Sequence, residues 1–402
     1  MVLMLIYKVK GTTVLMLASL YSNTDSNIET VKLLLENGVN VNLQNNNGWT
    51  ALMIASNYSN TDSNIETVKL LLENGTNVNL RNNDGHTALM IASNYSNTDS
   101  NIETVKLLLE NGADVNLRDN NDWTALMIAT IYSNTDSNIE TVKLLLENGA
   151  DINLQNNKGH TALMLATIYS NTDSNIETVK LLLENGADIN LQNNKGHTAL
   201  MLASDYSNTY NNIETVKLLL ENGADINLQN NKGNTALIYA CNKSSDYSNI
   251  ETVKLLLYYN SDPNIKNNKG WTAISYTSVN IKNESNIETL LLLLDYNSDF
   301  NNIFEINLSG EQLNKYHKKL AHKIHLKMTM NYIIKTISCH SNKILYNPNS
   351  IRSHLIILKL ILENKSIEDS ITWNNLELFN YLGVYDLYSI TSKVLDALKY
   401  LD

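Results

Sequence analysis

The sequence predicts an all-α solenoid of stacked helix-turn-helix units joined by polar turn fingers. Three observations predict it. A 37-residue motif recurs along three quarters of the 402-residue chain; each copy holds two short segments with an apolar face; and residues that start or stop helices bound those segments. Gly11, Gly48, Gly85, Gly159, Gly196, Gly233 and Gly270 mark the same point in successive copies, and Asp122 fills the one position where Gly is missing. Eight copies run from about residue 11 to residue 302. A period of this length marks an array whose units bury their apolar faces on one another, not a set of separate domains.

The first segment of a copy is T-A-L-M-I-A, as in Thr50 to Ala55. Leu52, Ile54 and Ala55 give a narrow apolar face, and the small Ala lets a neighbouring helix come close. Thr50 stands at an N-cap, its hydroxyl accepting from an orphan amide of the first turn. The second segment opens at S-N-I-E, as in Ser63 to Glu66. Ser three residues ahead of Glu is a capping-box pattern and predicts a helix opening at Ser63. Val68, Leu70, Leu71 and Leu72 form its apolar stripe, with Lys69 and Glu73 on the wetter side. The helix stops at E-N-G, where Gly75 takes the left-handed conformation without a Cβ penalty. Asn260 and Asn297 replace that Gly in the last two copies, and asparagine is the next best residue there. The following A-D-I-N-L-Q-N-N-K-G is a polar turn. Helices this short are marginal in water, so the leucines must be covered by the next copy. Residues 1–10 are expected to cap the first copy, through Met1 to Tyr7. The region 303–402 is expected to cover Leu291 to Leu294 of the last.

Composition excludes several classes. A hydrophobic content of 43% against 18% charged suffices for a packed core. Two cysteines rule out a disulfide framework and a Cys-ligated zinc ribbon. A net charge of −11 and a pI near 5.2 argue against a nucleic-acid binder. The 65 asparagines look like the mark of an AT-rich coding sequence rather than of function. No segment approaches the ~20 apolar residues of a membrane span. The start, MVLMLIYKVKG, lacks a basic n-region and a small-residue cleavage site, so it is not read as a signal peptide. The expectation is a soluble, monomeric, cytoplasmic protein engaging neither membrane nor nucleic acid.

The pattern G-x-T-A-L-M-x-A…(I/V)-x-x-V-K-L-L-L-E-N-G-A-D-(I/V)-N is similar to the ankyrin repeat, G-x-T-P-L-H-x-A-A…V-V-x-x-L-L-x-x-G-A-D-(V/I)-N. The resemblance covers about 290 residues. The dense asparagine and the phrase NIETVKLLLENGADINLQNNKG resemble the ankyrin proteins of giant amoebal viruses of the mimivirus type. Three departures stand out. Ala51 replaces the family Pro, and Met53 replaces the family His, removing one polar tie per repeat. The usual period of about 33 residues becomes 37, with the extra residues in Y-S-N-T-D between the two helices.

What the resemblance implies is a non-enzymatic scaffold that binds a partner protein in a concave groove lined by turn fingers and inner helices. A viral chain of this kind would act on host or viral proteins in the host cytoplasm. The most variable finger position follows the Gly: Thr12, Trp49, His86, Trp123, His160, His197, Asn234 and Trp271. Exposed Trp is costly and is enriched in interface hot spots, which makes these residues candidate contacts. Alternatively they pack on the neighbouring finger and stiffen the array. The fingers also differ in charge, with Arg81 and Arg118 early and Lys158, Lys195, Lys232 and Lys269 later. Those charges either tune partner choice and on-rate or form a solvated edge. Tyr21, Tyr58, Tyr95, Tyr132, Tyr169 and Tyr206 are expected to pack over helix ends with their hydroxyls in water.

Catalytic motifs are missing: no Walker-type loop, GxSxG or HExxH occurs. Cofactors and metals are not expected. Cys241 reads as a small packed residue, and Cys339 beside His340 as an unsuited pair. His317, His322 and His325 lie in an amphipathic basic stretch. Region 303–402 has 12 Lys plus Arg against 9 Asp plus Glu, leaving 18 against 32, or −14, for residues 1–302. It reads as several helices without the 37-residue period. Its stretch from Trp373 to Val394 faintly resembles an F-box or the helical end of a BTB domain. That resemblance implies an alternative role, a substrate-recruiting adaptor of a cullin-type ubiquitin ligase.

Overall fold

A computed structural model describes residues 11–21, 25–57, 62–94, 99–131, 136–168, 173–205, 210–242, 247–279 and 284–296. The expected caps at 1–10 and 303–402, with Cys339 and the histidines near it, lie outside the described residues. So do Asn297 and five of the six column tyrosines; Tyr21, the sixth, is 62% exposed rather than packed down. The chain divides into two compact units, Met1–Ala236 and Leu237–Asp402.

The first unit holds α1 (Val14–Leu20), α2 (Asp25–Glu36), α3 (Ala51–Asn57), α4 (Asp62–Glu73), α5 (Ala88–Asn94) and α6 (Asp99–Glu110). It continues with α7 (Ala125–Ile131), α8 (Asp136–Glu147), α9 (Ala162–Ile168), α10 (Asp173–Glu184), α11 (Ala199–Asp205) and α12 (Tyr210–Glu221). α13 (Ala236–Asn242), α14 (Tyr247–Tyr258), α15 (Ala273–Val279) and α16 (Glu284–Asp295) follow. Within the first unit, each short helix from α1 to α9 packs on its own long partner and on the next short helix, as α3 does on α4 and α5 and α5 on α6 and α7. The long helices stack likewise, α4 on α6 and α6 on α8.

The helix starts follow the threonine reading. Met53 N–H donates to Thr50 Oγ1 at 3.1 Å, and the same bond recurs from Met90 to Thr87, Met127 to Thr124, Met164 to Thr161 and Met201 to Thr198. The serine reading needs correction. α4 begins at Asp62, one residue ahead of the expected start at Ser63. Once nucleated, a helix gains a bond for each residue added, which carries it through the whole D-S-N-I-E-T-V-K-L-L-L-E segment. The ends behave as expected: Gly75 has φ +79°, and its N–H donates to Leu72 O at 3.1 Å. Asn260 takes the same conformation at φ +66°.

The buried stripe of a copy is Val68, Leu71 and Leu72 from the long helix with Leu52, Met53 and Ala55 from the short one. Met53 is 1% exposed, whereas Ile54, expected on the apolar face, is half-buried. The thioether that replaces the family His has gone into the core. Each such leucine contributes about 1.5–3 kcal/mol by burial.

Asparagine, read as a coding bias, stitches the fingers together. Asn83 N–H donates to Asn47 O at 3.0 Å, Asn120 to Asp84 O at 3.0 Å, Asn194 to Lys158 O at 3.1 Å and Asn231 to Lys195 O at 3.1 Å. A second ladder runs below them, with Asp114 N–H on Asn79 Oδ1 at 2.8 Å and Asp151 N–H on Asn116 Oδ1 at 2.7 Å. The first ladder is backbone to backbone; asparagine suits the second because its side-chain amide donates and accepts at once, Asn79 Nδ2 also donating to Gly112 O at 3.1 Å.

Candidate partner-binding site

A turn finger is built around one amide. Asn82 Oδ1 accepts from Asp84 N–H at 3.0 Å and from His86 N–H at 2.8 Å, while Asn82 N–H donates to His86 O at 2.9 Å. Asn45, Asn156, Asn193, Asn230 and Asn267 hold their fingers in the same way. This fixes the residue after the Gly at the finger's return into the short helix. Sequence reading missed the column, although its signal was present as an amide repeating at a period of 37.

The tip Gly has two duties. At Gly159, φ is +76°, and a Cβ would lie 2.5 Å from both the backbone N and Oδ1 of Asn194 on the next finger. Asp122 tests that crowding at φ +61°. Elsewhere the next finger's amide donates to a backbone carbonyl, as Asn194 Nδ2 does to Asn157 O at 2.9 Å. Opposite Asp122, Asn157 Nδ2 turns instead to Asn121 Oδ1 at 3.1 Å.

Three of the expected contacts come together. Trp49, His86 and Trp123, from three successive fingers, line one cleft of about 400 Å³ with Met90, Ile91 and Ile128 from the short helices. Asp119 stands in the finger-closing column, and its carboxylate does two jobs. Oδ1 accepts from Asn121 and Trp123 N–H at 2.7 and 2.8 Å, and Oδ2 lies 3.2 Å from His86 Nε2. A carboxylate only accepts, so His86 presents Nε2–H to it and is held in one orientation.

The other expected contacts are placed differently. His160 and His197 are half-buried, and their imidazole pKa is lowered by burial first and then by nearby positive groups, Lys158, His197 and Lys195 for His160 and Lys195 and Lys232 for His197. Asn234 is only 9% exposed. Trp271 stacks edge-on against Tyr276, ring centroids 5.0 Å apart, and its finger's Asn267 Nδ2 donates to the Tyr276 hydroxyl at 3.0 Å. The arginines stand where other copies have Gln and do the same work. Arg81 Nε donates to Gly85 O at 3.0 Å as Gln44 Nε2 donates to Gly48 O at 2.7 Å. Arg118 Nη2 donates to the Gln155 carbonyl of the next finger. Cys241 is fully buried beside Thr277, and burial pushes its thiol up to about 12. Among the described residues, no cluster of His, Cys, Asp and Glu is arranged to hold a metal, and no helix is long and apolar enough to cross a membrane.

A helix-pair array with finger-borne aromatics defines a class, and comparison with known proteins agrees with it. A family model described as ankyrin repeats (three copies) matches residues 2–82, 59–156, 134–230 and 206–303. The chain belongs to the ankyrin-repeat family. It is similar to two ankyrin repeat proteins of Acanthamoeba polyphaga mimivirus. One is 38% identical over 98 residues, which is 24% of this chain and 16% of the relative. The other is 33% identical over 110 residues, 25% of this chain and 18% of the relative. The chain thus matches less than a fifth of either relative's length.

Proposed function

We infer that the protein is a non-enzymatic scaffold that holds a partner protein in the groove of its first unit, with Trp49, His86 and Trp123 as anchors. Membership of the ankyrin-repeat family supports a role in protein–protein interaction. The observation that carries the finer reading is the single cleft shared by these three side chains over an apolar floor. Half-buried aromatics around a pocket, on a rigid frame, are the arrangement of interface hot spots. The floor is apolar and the one charged group in the cleft, Asp119, is already bonded, which favours binding over chemistry. The resemblance to mimivirus proteins supports a viral factor acting on host or viral proteins. The scarcity of cysteine fits the host-cell cytoplasm.

The test is affinity capture with the full chain and with a Trp49→Ala/Trp123→Ala variant, followed by mass spectrometry. A protein retained by the wild type should be lost, or held about tenfold or more weakly, by the variant, since central hot-spot truncations cost ≥ ~2 kcal/mol. Helical circular dichroism should be unchanged, because both rings sit at finger ends and not in the leucine core. Equal retention by a folded variant sinks the reading.

A further inference from the structure

The later fingers carry a charge pattern that the cleft does not use. Lys158, Lys195 and Lys232 occupy equivalent places in three successive fingers, and all three are exposed. Among the described residues, the ion pairs involve His86, Arg118 and the helix lysines Lys32, Lys143, Lys217 and Lys254; none involves the three finger lysines. The finger segments 155–160, 192–197 and 229–234 contain no acidic residue. The two fingers before them differ, since Asp84 accompanies Arg81, and Asp119 and Asp122 accompany Arg118. An unpaired positive row therefore begins where the aromatic cleft ends, on a chain whose net charge is −11. The half-buried His160 and His197 sense the same field: after burial, these lysines help lower their proton affinity, with His197 itself acting on His160.

Spacing narrows the occupant. Stacked short helices lie about 8–10 Å apart, so the backbone positions that carry the three lysines recur at about that interval. A chain in the polyproline II conformation rises ~3.1 Å per residue with three residues per turn. Every third side chain then returns to one face after about 9 Å. We propose that the lysine row takes an extended acidic protein segment with a carboxylate at every third position, running on from the Trp49–His86–Trp123 cleft. The proposal deepens the groove-binding reading above and rests on it. Nucleic acid fits the row poorly. Its affinity comes from many phosphate contacts on a broadly basic face, and here three cations stand on a strongly acidic chain.

The experiment uses the full chain and fluorescence anisotropy at low ionic strength. The probes are a labelled Glu-Ser-Ser repeat peptide ending in Leu, the same composition with its Glu residues clustered, a Lys-Ser-Ser counterpart, and an oligouridylate. The Glu-Ser-Ser peptide should bind most tightly and lose affinity as salt rises. The Lys158→Glu/Lys195→Glu/Lys232→Glu variant should bind it about tenfold more weakly or not at all. Lys180→Glu, on the exposed side of α10, should leave binding unchanged. Failure of Glu-Ser-Ser to exceed the clustered or Lys-Ser-Ser peptide overturns the proposal, and so does equal or tighter binding of the oligouridylate. Insensitivity to the triple reversal also overturns it. If captured partners still depend on Trp49 and Trp123 while the acidic peptide shows no preference, the cleft reading stands and the lysine row is only a solvated edge.

Discussion

At the residue scale, one side-chain choice repeats its consequence at every step of the array. Asn82 and its equivalents close a finger with two acceptor bonds, and Asp119 does so while also orienting His86. The imidazoles of the later fingers have a measurable signature. Burial, helped by the lysines, lowers the pKa of His160 and His197 in the folded chain below the ordinary value of 6.5. The folded state therefore prefers neutral imidazole, whereas the unfolded chain takes up protons near 6.5. The contribution is fully present above pH 6.5 and is lost as pH falls through the lowered folded values. Proton titration by NMR should show both rings titrating below 6.5. Stability measured by urea unfolding should fall less between pH 7 and pH 5 in a His160→Gln/His197→Gln variant. Titration of either ring at or above 6.5 would contradict this account.

At the element scale, helix ends and finger tips use glycine for different reasons. Gly75 has φ +79° with nothing within 4 Å of where a Cβ would stand, so only its conformation matters. Gly159 has the same backbone need and also a neighbouring finger pressed against it. Gly75→Ala should cost about 1–2 kcal/mol from the left-handed backbone alone, and Gly75→Asn less, as Asn260 illustrates. Gly159→Ala should cost more than Gly75→Ala in chemical denaturation, because it adds a clash with Asn194 backbone to the same strain. Equal losses would show that finger-to-finger contact adds nothing. Helix existence, order and stop points were legible in the sequence, because Thr, Gly and the leucine stripe act locally. The second helix start was not. S-N-I-E satisfies the pattern of a cap, yet the helix opens one residue ahead of it, at Asp62, because nucleation fixes a whole turn at once and not a single residue.

At the scale of the molecule, each unit is stable by contact with its neighbours. Leu145 in α8 is fully buried in the middle of the first unit. Leu145→Ala should cost about 2–5 kcal/mol. Hydrogen exchange should quicken most in α7 and α8, less in α6 and α10, and little in α2 and α12. Uniform acceleration across the unit would argue for all-or-none cooperativity instead. The same stacking sets what the surface can recognise. It brings Trp49, His86 and Trp123 to one cleft although they lie 37 residues apart in sequence, and it repeats Lys158, Lys195 and Lys232 at equivalent places in successive fingers.

The sequence by itself determined the repeat, its helix pairs, the threonine starts and glycine stops among their caps, and the family they belong to. Each of these follows from local propensity and from a period that recurs along the chain. Tertiary structure alone decided which finger residues share a pocket and which pack within their own repeat. Trp123 and Trp271 occupy the same repeat position, yet one lines a cleft with its neighbours and the other stacks on Tyr276. The physical reason is that a side chain's role depends on what the adjoining helices and fingers press against it, and those neighbours vary where the motif does not.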